Sequence, residues 1–438
     1  MIALPVVLAQ VEPVHLFTGS GGERPYGSVV MDTDGILYGT TAYGGAGDRG
    51  VVYRVKPDGS DFLLLHDFGK AEDGIRVFNS LALAGGAAYG IAWAGGQHNG
   101  GTLFRVNTGG GGFQVVHHFG GTSDGGDGAY PYTAPTRVGT ALFGMTYGGG
   151  TGGWGSVYRY DTVSGDYQVL HSFQAGQGTR PFGTVTAVGD WLYGMASDHL
   201  SSTSSGVIFR MRFDGTQYEV VHGFSGGTAG GYPYDSLVYD GAGTLYGTTL
   251  GYYTDLADEG VVFSYELAGQ QYTVLHDFAS ADDNGAKPNG GVVISPDGTQ
   301  LYGLSHGTEV WGGEEFGTLY RLGIDGTDFT VLHTFASGDA GDTPMRTPWL
   351  HENVLYGTAA YGGASQLDEV RGYGMVWSVS VPETNASSVL AMAAAGYCLW
   401  SRGRAKAHGR QDPRRAAEAG SGVVTCAGHD GGKPQTGS

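Results

Sequence analysis

Residues 37–68 read LYGTTAYGGAGDRGVVYRVKPDGSDFLLLHDF, and three short elements of this stretch return along the chain. The first is an aromatic residue followed by glycine, at Tyr38. The second is Gly-x-x-aromatic, which ends at Tyr53, and the third is a (Val/Leu)-His-x-Phe element around His66. Each element occurs seven times, in strict rotation. Such self-similarity at a fixed period is typical of a repeat architecture.

Each element supplies one marker residue per unit. The aromatic residues of the aromatic-Gly pairs are Tyr38, Tyr89, Phe143, Tyr193, Tyr246, Tyr302 and Tyr356. The aromatic residues of Gly-x-x-aromatic are Tyr53, Phe104, Tyr158, Phe209, Phe263, Tyr320 and Trp377. The histidines are His15, His66, His117, His171, His222, His276 and His333. The unit averages about 52 residues, close to the roughly 40 to 50 residues of a propeller blade.

Within one unit the pattern predicts four short strands, a to d, as in residues 28–32, 36–42, 50–56 and 61–68. These segments are rich in aromatic and β-branched residues, which favour strands. Asp-Gly pairs separate them, and such pairs suit the positive φ of tight hairpins. The glycines of these pairs are Gly35, Gly59, Gly215, Gly298 and Gly326.

The two ends of the repeat array are complementary. The chain begins with a strand d at residues 11–17, whereas the seventh unit stops after its strand c at residues 373–379. If the first strand completes the last unit, the ring closes and leaves no free sheet edge. We therefore expect an all-β, seven-bladed β-propeller of four-stranded blades over residues 11–381. An open β-solenoid is the alternative, but it does not explain the offset.

Loop lengths vary on one side only. The separation between the strand c aromatic and the strand d histidine, as from Tyr53 to His66, is the same in all six consecutive cases. The b-to-c separation instead grows, from its shortest value at Tyr38 to Tyr53 to its longest at Tyr356 to Trp377. The b-to-c and d-to-a connections lie on the same face of a propeller, here called the loop face. Variable loops on a fixed scaffold are typical of binding sites.

The loop face carries aromatic and acidic residues that suit sugar rings, because aromatic faces stack on C–H groups while carboxylates accept hydroxyl hydrogen bonds. The alternative is that these aromatic residues fill gaps between blades. The candidate ligand-binding residues are Tyr43, Trp93, Trp154, Tyr252, Tyr253, Trp311, Glu314 and Tyr361.

The seven histidines are interpreted as structural. Strand d is the outermost strand of a blade, so the seven imidazoles lie far apart and cannot chelate one metal ion. We expect each histidine to make a hydrogen bond that stabilises its blade, and we expect no metal site.

Composition limits the possible functions. The 438 residues include 83 Gly, 27 Tyr, 18 Phe and 7 Trp, which fits an aromatic-rich β protein and argues against disorder. Residues 1–381 carry 16 Lys and Arg against 38 Asp and Glu, a formal charge of −22 that argues against nucleic acid as a partner. Both cysteines, Cys398 and Cys426, lie beyond this region. The sequence contains no catalytic triad motif, zinc spacing or phosphate loop. We therefore expect a protein that is not an enzyme and has no cofactor.

The two ends suggest export. Residues 1–10 read as the remnant of a signal peptide or as a lead-in to the first strand. Residues 382–404 combine Pro382 and Glu383 with an apolar stretch over 386–400 and the basic residues Arg402 and Arg404. This apolar stretch is shorter than the about 20 residues of a membrane span. Residues 405–438 are expected to be disordered.

The repeated motifs resemble those of a known protein family. Leu-Tyr-Gly-Thr-Thr-x-Tyr-Gly-Gly at 37–45, Gly-x-Val-Tyr-Arg at 50–54 and Leu-His-x-Phe at 65–68 resemble the GloVer tandem repeat of bacterial surface proteins. The segment from Pro382 to Arg404 is similar to a PEP-CTERM sorting signal. Here Thr384 stands in place of the usual second proline, and the tail at 405–438 follows the basic residues. The resemblance implies export in a Gram-negative bacterium, processing by an exosortase with transient membrane insertion of this segment, and an association with exopolysaccharide.

Together these observations predict an exported propeller that acts as a non-catalytic binding module at the cell surface or in the extracellular matrix, with a glycan as one expected partner. An exported glycan-active enzyme, a hydrolase or lyase using the loop face, is the first alternative. A purely structural ring without a specific ligand is the second.

Overall fold

The computed structural model describes residues 10–120, 126–197, 205–251, 259–278, 287–306, 317–335, 341–362 and 372–381. All of them belong to one compact unit, residues 1–383. They form seven antiparallel blades, and in six of them the strands of the sheet come from one continuous stretch of chain. The structure confirms the all-β, seven-bladed β-propeller that the repeats predict.

The first three complete blades follow strand β1, Glu12–Leu16. Blade 1 contains β2 Val30–Met31, β3 Leu37–Thr41, β4 Val51–Val55 and β5 Leu63–Asp67. Blade 2 contains β6 Ala82–Ala84, β7 Ala87–Ala92, β8 Thr102–Asn107 and β9 Gln114–His118. Blade 3 contains β10 Gly128–Pro131, β11 Thr136–Val138, β12 Ala141–Gly149, β13 Ser156–Asp161 and β14 Tyr167–Ser172. In blade 3 the innermost strand is interrupted, so β10 and β11 both pair with β12.

The other blades follow the same plan. Blade 4 contains β15 Thr186–Val188, β16 Trp191–Ala196, β17 Val207–Arg212 and β18 Glu219–Gly223. Blade 5 contains β19 Val238–Tyr239, β20 Thr244–Thr249, β21 Val261–Glu266 and β22 Gln271–Asp277, after a short 3-10 helix, Gly227–Ala229. Blade 6 contains β23 Val293–Ile294, β24 Gln300–Ser305, β25 Thr318–Gly323 and β26 Thr330–Thr334. Blade 7 contains β27 Asp342–His351, β28 Val354–Tyr361 and β29 Met375–Ser380.

The two ends of the ring share blade 7. Strand β1 pairs antiparallel with β29, with Glu12 opposite Ser378 and Leu16 opposite Met375. The Phe17 amide also donates to the Gly374 carbonyl at 3.1 Å. The predicted closure of the last blade by the first strand is therefore confirmed.

The hydrophobic core lies between blades. Seven clusters of buried side chains each join two neighbouring blades, and the seventh joins blade 7 to blade 1. In that last cluster Phe17 is 2% exposed and lies edge-on to Tyr53, with ring centroids 5.1 Å apart. Each blade thus buries both faces of its sheet, and closure is required to bury the outer faces of the two terminal blades.

The repeated glycine of each aromatic-Gly pair makes room for a ring. Gly39 lies opposite Tyr53 in the β3–β4 pair, and a Cβ at Gly39 would come within 2.3 Å of the Tyr53 hydroxyl. Gly357 has the same relation to Trp377, at 2.1 Å. The remaining five blades repeat this contact at the strand c aromatic. The pairing explains why the two motifs recur together in every unit.

The histidines join neighbouring blades by ring stacking. In every blade the strand c–d pairing carries a β-bulge at the residue before the histidine. Six histidines then stack on the aromatic residue that precedes the next blade's histidine by four positions, with near-parallel rings. The pairs are His15–Phe62, His66–Phe113, His117–Tyr167, His171–Tyr218, His222–Tyr272 and His276–Phe329, with centroids 3.4 to 4.1 Å apart.

The hydrogen bonding of Nε2 differs between blades, and the expectation of one hydrogen bond per histidine stays a prediction. Within the described residues, Nε2 of His66, His171 and His276 makes no hydrogen bond. His117 does make one, because its Nε2 lies 3.1 Å from the Asp127 carboxylate. Sequence alternation placed these rings on strand d, but the bulge and the stacking partner depend on the neighbouring blade.

Burial lowers the pKa of five of the seven repeated histidines. It lowers the pKa of His15 and of His276 to about 4. It also lowers the pKa of His171 and His222, because each ring has lost part of its hydration. For His66 the same loss of hydration lowers the pKa and outweighs the opposing effect of the Asp73 and Asp67 carboxylates.

We expect Phe17→Ala to lower the free energy of unfolding by about 3–5 kcal/mol, because it empties a buried site at the closing junction. Urea denaturation followed by circular dichroism measures this change. The control is Val163→Ala, at a side chain 81% exposed, which we expect to change stability by less than about 0.5 kcal/mol. Equal effects of the two substitutions would show that the first strand does not hold the ring closed.

We expect the free energy of unfolding to fall as the pH falls from about 6.5 towards 4. In this window the unfolded histidines, with a pKa of about 6.5, bind protons that the folded rings exclude. The slope for each histidine is at most about 1.4 kcal/mol per pH unit, and partial exposure keeps it below that limit. His276→Phe retains a ring for stacking on Phe329 but cannot titrate, so it flattens the profile.

The control for this pH profile is Thr273→Val on the same strand, an exposed position whose substitution changes no charge. Urea denaturation at a series of pH values gives the slope for each protein. A His276→Phe profile as steep as that of the unmodified protein would contradict this assignment.

Candidate functional site

A fourth repeated motif, which the sequence analysis missed, occurs at the innermost part of every blade. It precedes the innermost strand in five blades, overlaps the end of β10 in blade 3 and lies within β27 in blade 7. It consists of four residues: a variable residue, then usually proline, then usually an aromatic residue, then a residue that lines the axis of the ring. The seven copies are RPYG at 24–27, RVFN at 76–79, YPYT at 130–133, RPFG at 180–183, YPYD at 232–235, KPNG at 287–290 and TPMR at 343–346. In every blade except blade 7, the sequence signal for this motif is its constant distance from the strand that follows it. The distance from the preceding strand d varies with loop length, and this variation conceals the repeat.

The first residue of this motif makes a backbone hydrogen bond to the preceding blade. It adopts a left-handed backbone in all seven blades, for example with φ 54° at Arg24 and 57° at Tyr232. In this conformation the Arg24 amide donates to the Tyr373 carbonyl of blade 7 at 2.9 Å, and the Tyr232 amide donates to the Ser205 carbonyl of blade 4. Its own carbonyl accepts from the end of strand b within its blade, as Arg24 does from Ala42.

The second residue packs against the glycine that opens strand c of the preceding blade. A Cβ at Gly374 would lie 2.5 Å from Cδ of Pro25, and one at Gly206 would lie 2.6 Å from Cδ of Pro233. On the loop face, the proline ring of one blade therefore packs directly against the glycine backbone of the preceding blade. This close approach brings the third and fourth motif residues into a ring around the axis.

The third residues form an aromatic mouth, defined as Tyr26, Phe78, Tyr132, Phe182 and Tyr234, with Asn289 and Met345 completing the circle. All seven are half-buried. Phe182 stacks on Tyr234 at 4.4 Å and lies edge-on to Tyr132 at 5.0 Å. The Tyr234 hydroxyl donates to that of Tyr132 at 3.2 Å. The aromatic side chains of the mouth therefore pack against one another near the axis of the propeller, on its loop face.

A central channel of about 290 Å³ is lined by residues that closely follow the mouth residues in the sequence. All seven blades line it through their innermost segments. One lining residue from each blade in turn is Val30, Asn79, Thr133, Thr184, Asp235, Val293 and Arg346. Trp349, which is 36% exposed, also lines it. The channel thus joins apolar walls to a few buried polar groups, the usual composition of a ligand site.

The polar groups of the channel differ in how well they are satisfied. The Asp235 carboxylate accepts from the Ser236 amide at 2.7 Å and from the Thr347 hydroxyl at 3.3 Å. In contrast, Nη1 of Arg346 and both amide atoms of Asn79 are buried and make no hydrogen bond within the part of the chain that the structure describes. A buried polar atom without a partner costs about 1–3 kcal/mol.

Side-chain hydroxyls hold the ring of fourth residues in place. Thr358 donates to the Gly27 carbonyl across the closing junction at 3.0 Å. Thr248 donates to the Gly290 carbonyl in the same way at 2.7 Å. The fourth residue of blade 4 is Gly183, where a Cβ would lie 2.3 Å from the Asp235 carbonyl oxygen. These contacts leave little freedom for the backbone around the channel.

Four of the predicted ligand-binding residues lie on the loop face, outside the channel, and each faces an arginine of the motif. Arg24 lies over Tyr43 at 5.0 Å and over Tyr361 at 5.4 Å. Arg76 lies over Trp93 at 5.7 Å, and Arg180 lies over Trp154 at 5.7 Å. Cation-π contacts of this kind stabilise the loops by roughly 0.5–1 kcal/mol each where exposed.

The structure links this outer set to the mouth. The Tyr26 and Tyr361 hydroxyls lie 3.3 Å apart, and burial, followed by this hydrogen bond, raises the pKa of Tyr26. Trp93 lies 6.4 Å from Phe78. Arginines therefore lie over aromatic residues of both sets: Arg24, Arg76 and Arg180 lie over the predicted residues, and Arg346 lies over Tyr132 and Tyr234 of the mouth.

The remaining predicted site residues lie outside the described residues. They are Tyr252, Tyr253, Trp311 and Glu314 of the loop face and Pro382, Glu383, Arg402 and Arg404 of the sorting segment. Among the residues that are described, no three His, Cys, Asp or Glu side chains gather into a potential metal site. Those residues also contain no helix of the length and apolarity that a membrane crossing requires.

Comparison with known families decides the relationship of the chain. The family model of the Gloeobacter/Verrucomicrobia repeat matches twice in tandem, at residues 5–204 and 198–397. The chain belongs to the Gloeobacter/Verrucomicrobia repeat family. This confirms the GloVer resemblance of the repeats. No curated protein matches the sequence significantly.

Solved structures share the fold of this Gloeobacter/Verrucomicrobia repeat protein. An oligogalacturonate lyase in complex with manganese matches with a TM-score of 0.52 and 11% identity, over 86% of this chain and 94% of that chain. The oligogalacturonate lyase of Vibrio parahaemolyticus matches with a TM-score of 0.50 at the same identity and coverage. At this identity the likeness concerns the propeller fold alone.

We expect Gly183→Ala to lower the free energy of unfolding by about 1–3 kcal/mol, because the new methyl group would meet the Asp235 backbone. The control is Gly109→Ala, where a Cβ meets nothing within 4 Å and stability should change by less than about 0.5 kcal/mol. Urea denaturation of both variants measures the difference. Equal midpoints would show that the blades are not closely packed around the channel.

Proposed function

We propose that this repeat propeller is a non-catalytic module that binds a glycan at the mouth of its central channel. One observation carries the proposal: in five blades an aromatic side chain closely precedes the residues that line a channel whose buried Asn79 and Arg346 retain unpartnered polar atoms. Aromatic faces stack on the C–H faces of sugar rings, and the polar groups beneath them can exchange hydrogen bonds with hydroxyls.

The state of the channel carboxylate supports binding over catalysis. General acid–base chemistry needs a titratable group that is within hydrogen-bond reach of the substrate and able to exchange its proton. The two hydrogen bonds that Asp235 accepts come from its own neighbourhood, so the carboxylate is held in place by the protein. Arg346 and Asn79 can bind and orient a ligand, but neither is a usual proton donor or acceptor in catalysis.

The proposal includes export, for which the terminal segments provide the support. Residues 1–10 resemble a signal peptide remnant, and Pro382, Glu383, Arg402 and Arg404 resemble the parts of a sorting signal that an exosortase reads. We propose a cell-surface or extracellular location in a Gram-negative bacterium. There an exopolysaccharide is the partner that suits a glycan-binding module.

The test is a glycan array probed with the full chain, followed by a reducing-end release assay on every glycan that binds. We expect binding without release. Tyr132→Ala and Tyr234→Ala should each weaken binding roughly two- to tenfold, the value of one aromatic contact of about 0.5–1.5 kcal/mol. Release of reducing ends would favour the glycan-active enzyme, and a blank array would favour a purely structural ring.

A matched control is Trp191→Ala. This residue begins strand b, on the face opposite the loop face, where its ring lies under Arg210 and Arg212 at 4.5 and 4.0 Å. The substitution removes an aromatic side chain of comparable contacts and should leave glycan binding unchanged. Unfolding midpoints of all three variants distinguish loss of a contact from loss of fold.

A further inference from the structure

Arg346 is the exceptional residue of the channel. It is 6% exposed, although burial of a cation without a partner is unfavourable. Its φ is 60°, a left-handed backbone that costs about 1–2 kcal/mol for a residue with a side chain. None of the six equivalent residues is left-handed; they are Gly27, Asn79, Thr133, Gly183, Asp235 and Gly290. Only blade 7 thus stores strain at this position and places a cation there.

The contacts of Arg346 hold the guanidinium without neutralising it. The side chain lies over Tyr132 at 5.2 Å and over Tyr234 at 5.5 Å, at the mouth. Within the described ranges no carboxylate comes within ion-pair distance of it, and Nη1 makes no hydrogen bond. By contrast Arg24, at the outer edge of the loop face, pairs with Glu23 at 3.1 Å.

Asn79 presents a second unsatisfied group in the same channel. It is 2% exposed, and neither its Nδ2 nor its Oδ1 has a hydrogen-bond partner in the described part of the chain. The Thr133 hydroxyl is likewise buried and unpartnered there. Asp235 does not compensate for them, because the hydrogen bonds of its carboxylate in the described structure come from Ser236 and Thr347. The channel therefore offers donors for an anion and an acceptor for a hydroxyl.

We propose that the channel receives a sugar ring that bears a carboxylate, a uronic acid unit of the glycan, with Arg346 and Asn79 as its specificity-determining residues. This inference rests on the proposed glycan-binding function. A carboxylate is planar and matches the guanidinium fork in two parallel hydrogen bonds. Nδ2 of Asn79 donates to a ligand oxygen, while its Oδ1 accepts from a ring hydroxyl. A turn of each side chain towards the channel brings these shielded atoms to the ligand.

The planar guanidinium of Arg346 and the planar amide of Asn79 favour a carboxylate over a sulfate ester as the ligand group. Among the described residues that line the channel, the buried donors without a partner belong to one guanidinium, one amide and one hydroxyl. A tetrahedral sulfate or phosphate usually recruits donors from several directions, including successive backbone N–H groups. In the channel the innermost segments instead bond to one another, as Gly291 does in donating to the Thr347 hydroxyl. A uronic acid thus fits better than a sulfated sugar.

The test measures binding of short oligouronates, fragments of polymannuronate and polygalacturonate, beside their carboxyl-reduced neutral counterparts, by isothermal titration calorimetry. We expect the full chain to prefer at least one acidic oligosaccharide by about tenfold or more, the value of a hydrogen-bonded charge. Arg346→Met should remove this preference, because it should weaken binding of the acidic oligosaccharide by about tenfold more than binding of the neutral counterpart. Its unfolding midpoint should stay equal or rise, because a buried charge has been removed.

The matched control is Arg180→Met, which removes an arginine that stacks on Tyr147 and Trp154 outside the channel. It should retain the preference for the acidic oligosaccharide. Equal affinities for acidic and neutral oligosaccharides, or an undiminished preference in Arg346→Met, would overturn the inference while leaving glycan binding standing. Equal binding of a sulfated oligosaccharide would overturn the choice of carboxylate. Failure of every oligosaccharide to bind would instead overturn the proposed glycan-binding function.

Discussion

The pairing of β1 with β29 is the constraint on which the rest of the structure depends. A blade has two apolar faces, and both are buried only if every blade has two neighbours. The closing pair gives blade 7 its outer strand and places Phe17 in the cluster that joins blade 7 to blade 1. Closure therefore converts a row of seven similar units into a ring with a common axis. Without it, neither the channel nor its mouth would exist.

The contacts between blades repeat, whereas the residues that line the channel vary from blade to blade. Histidine stacking, the ring over each aromatic-Gly pair and the proline against the strand c glycine recur in nearly every blade. The fourth residue of the motif at 24–27 and its equivalents is not restricted to one residue type by such a contact, and Gly, Asn, Thr, Asp and Arg all occur there. A symmetric scaffold thereby carries an asymmetric site, since Arg346 and Asn79 approach the axis from different blades.

Much of the fold was readable from particular residues. The rotation of Tyr38, Tyr53 and His66 predicts the unit, and the strand d around His15 predicts the closure, because strands reveal themselves by short-range composition and turns. The candidate site was less accessible. Tyr43, Trp93, Trp154 and Tyr361 were placed on the correct face, but an aromatic residue in a sequence does not show whether an arginine covers it. The four-residue motif at 24–27 and its six equivalents is hard to recognise in the sequence, because its third and fourth residues change from unit to unit.

The sequence by itself determined the number of blades, the strand order and the offset that closes the ring, since these depend on local propensity and on periodicity. Only the tertiary structure decided which side chains meet at the axis. Asn79 belongs to blade 2 and Arg346 to blade 7, and they line one channel because the blades bring their innermost segments together. The physical reason is that burial, ring stacking and unsatisfied hydrogen bonds are properties of neighbours in space, which a repeat pattern does not specify.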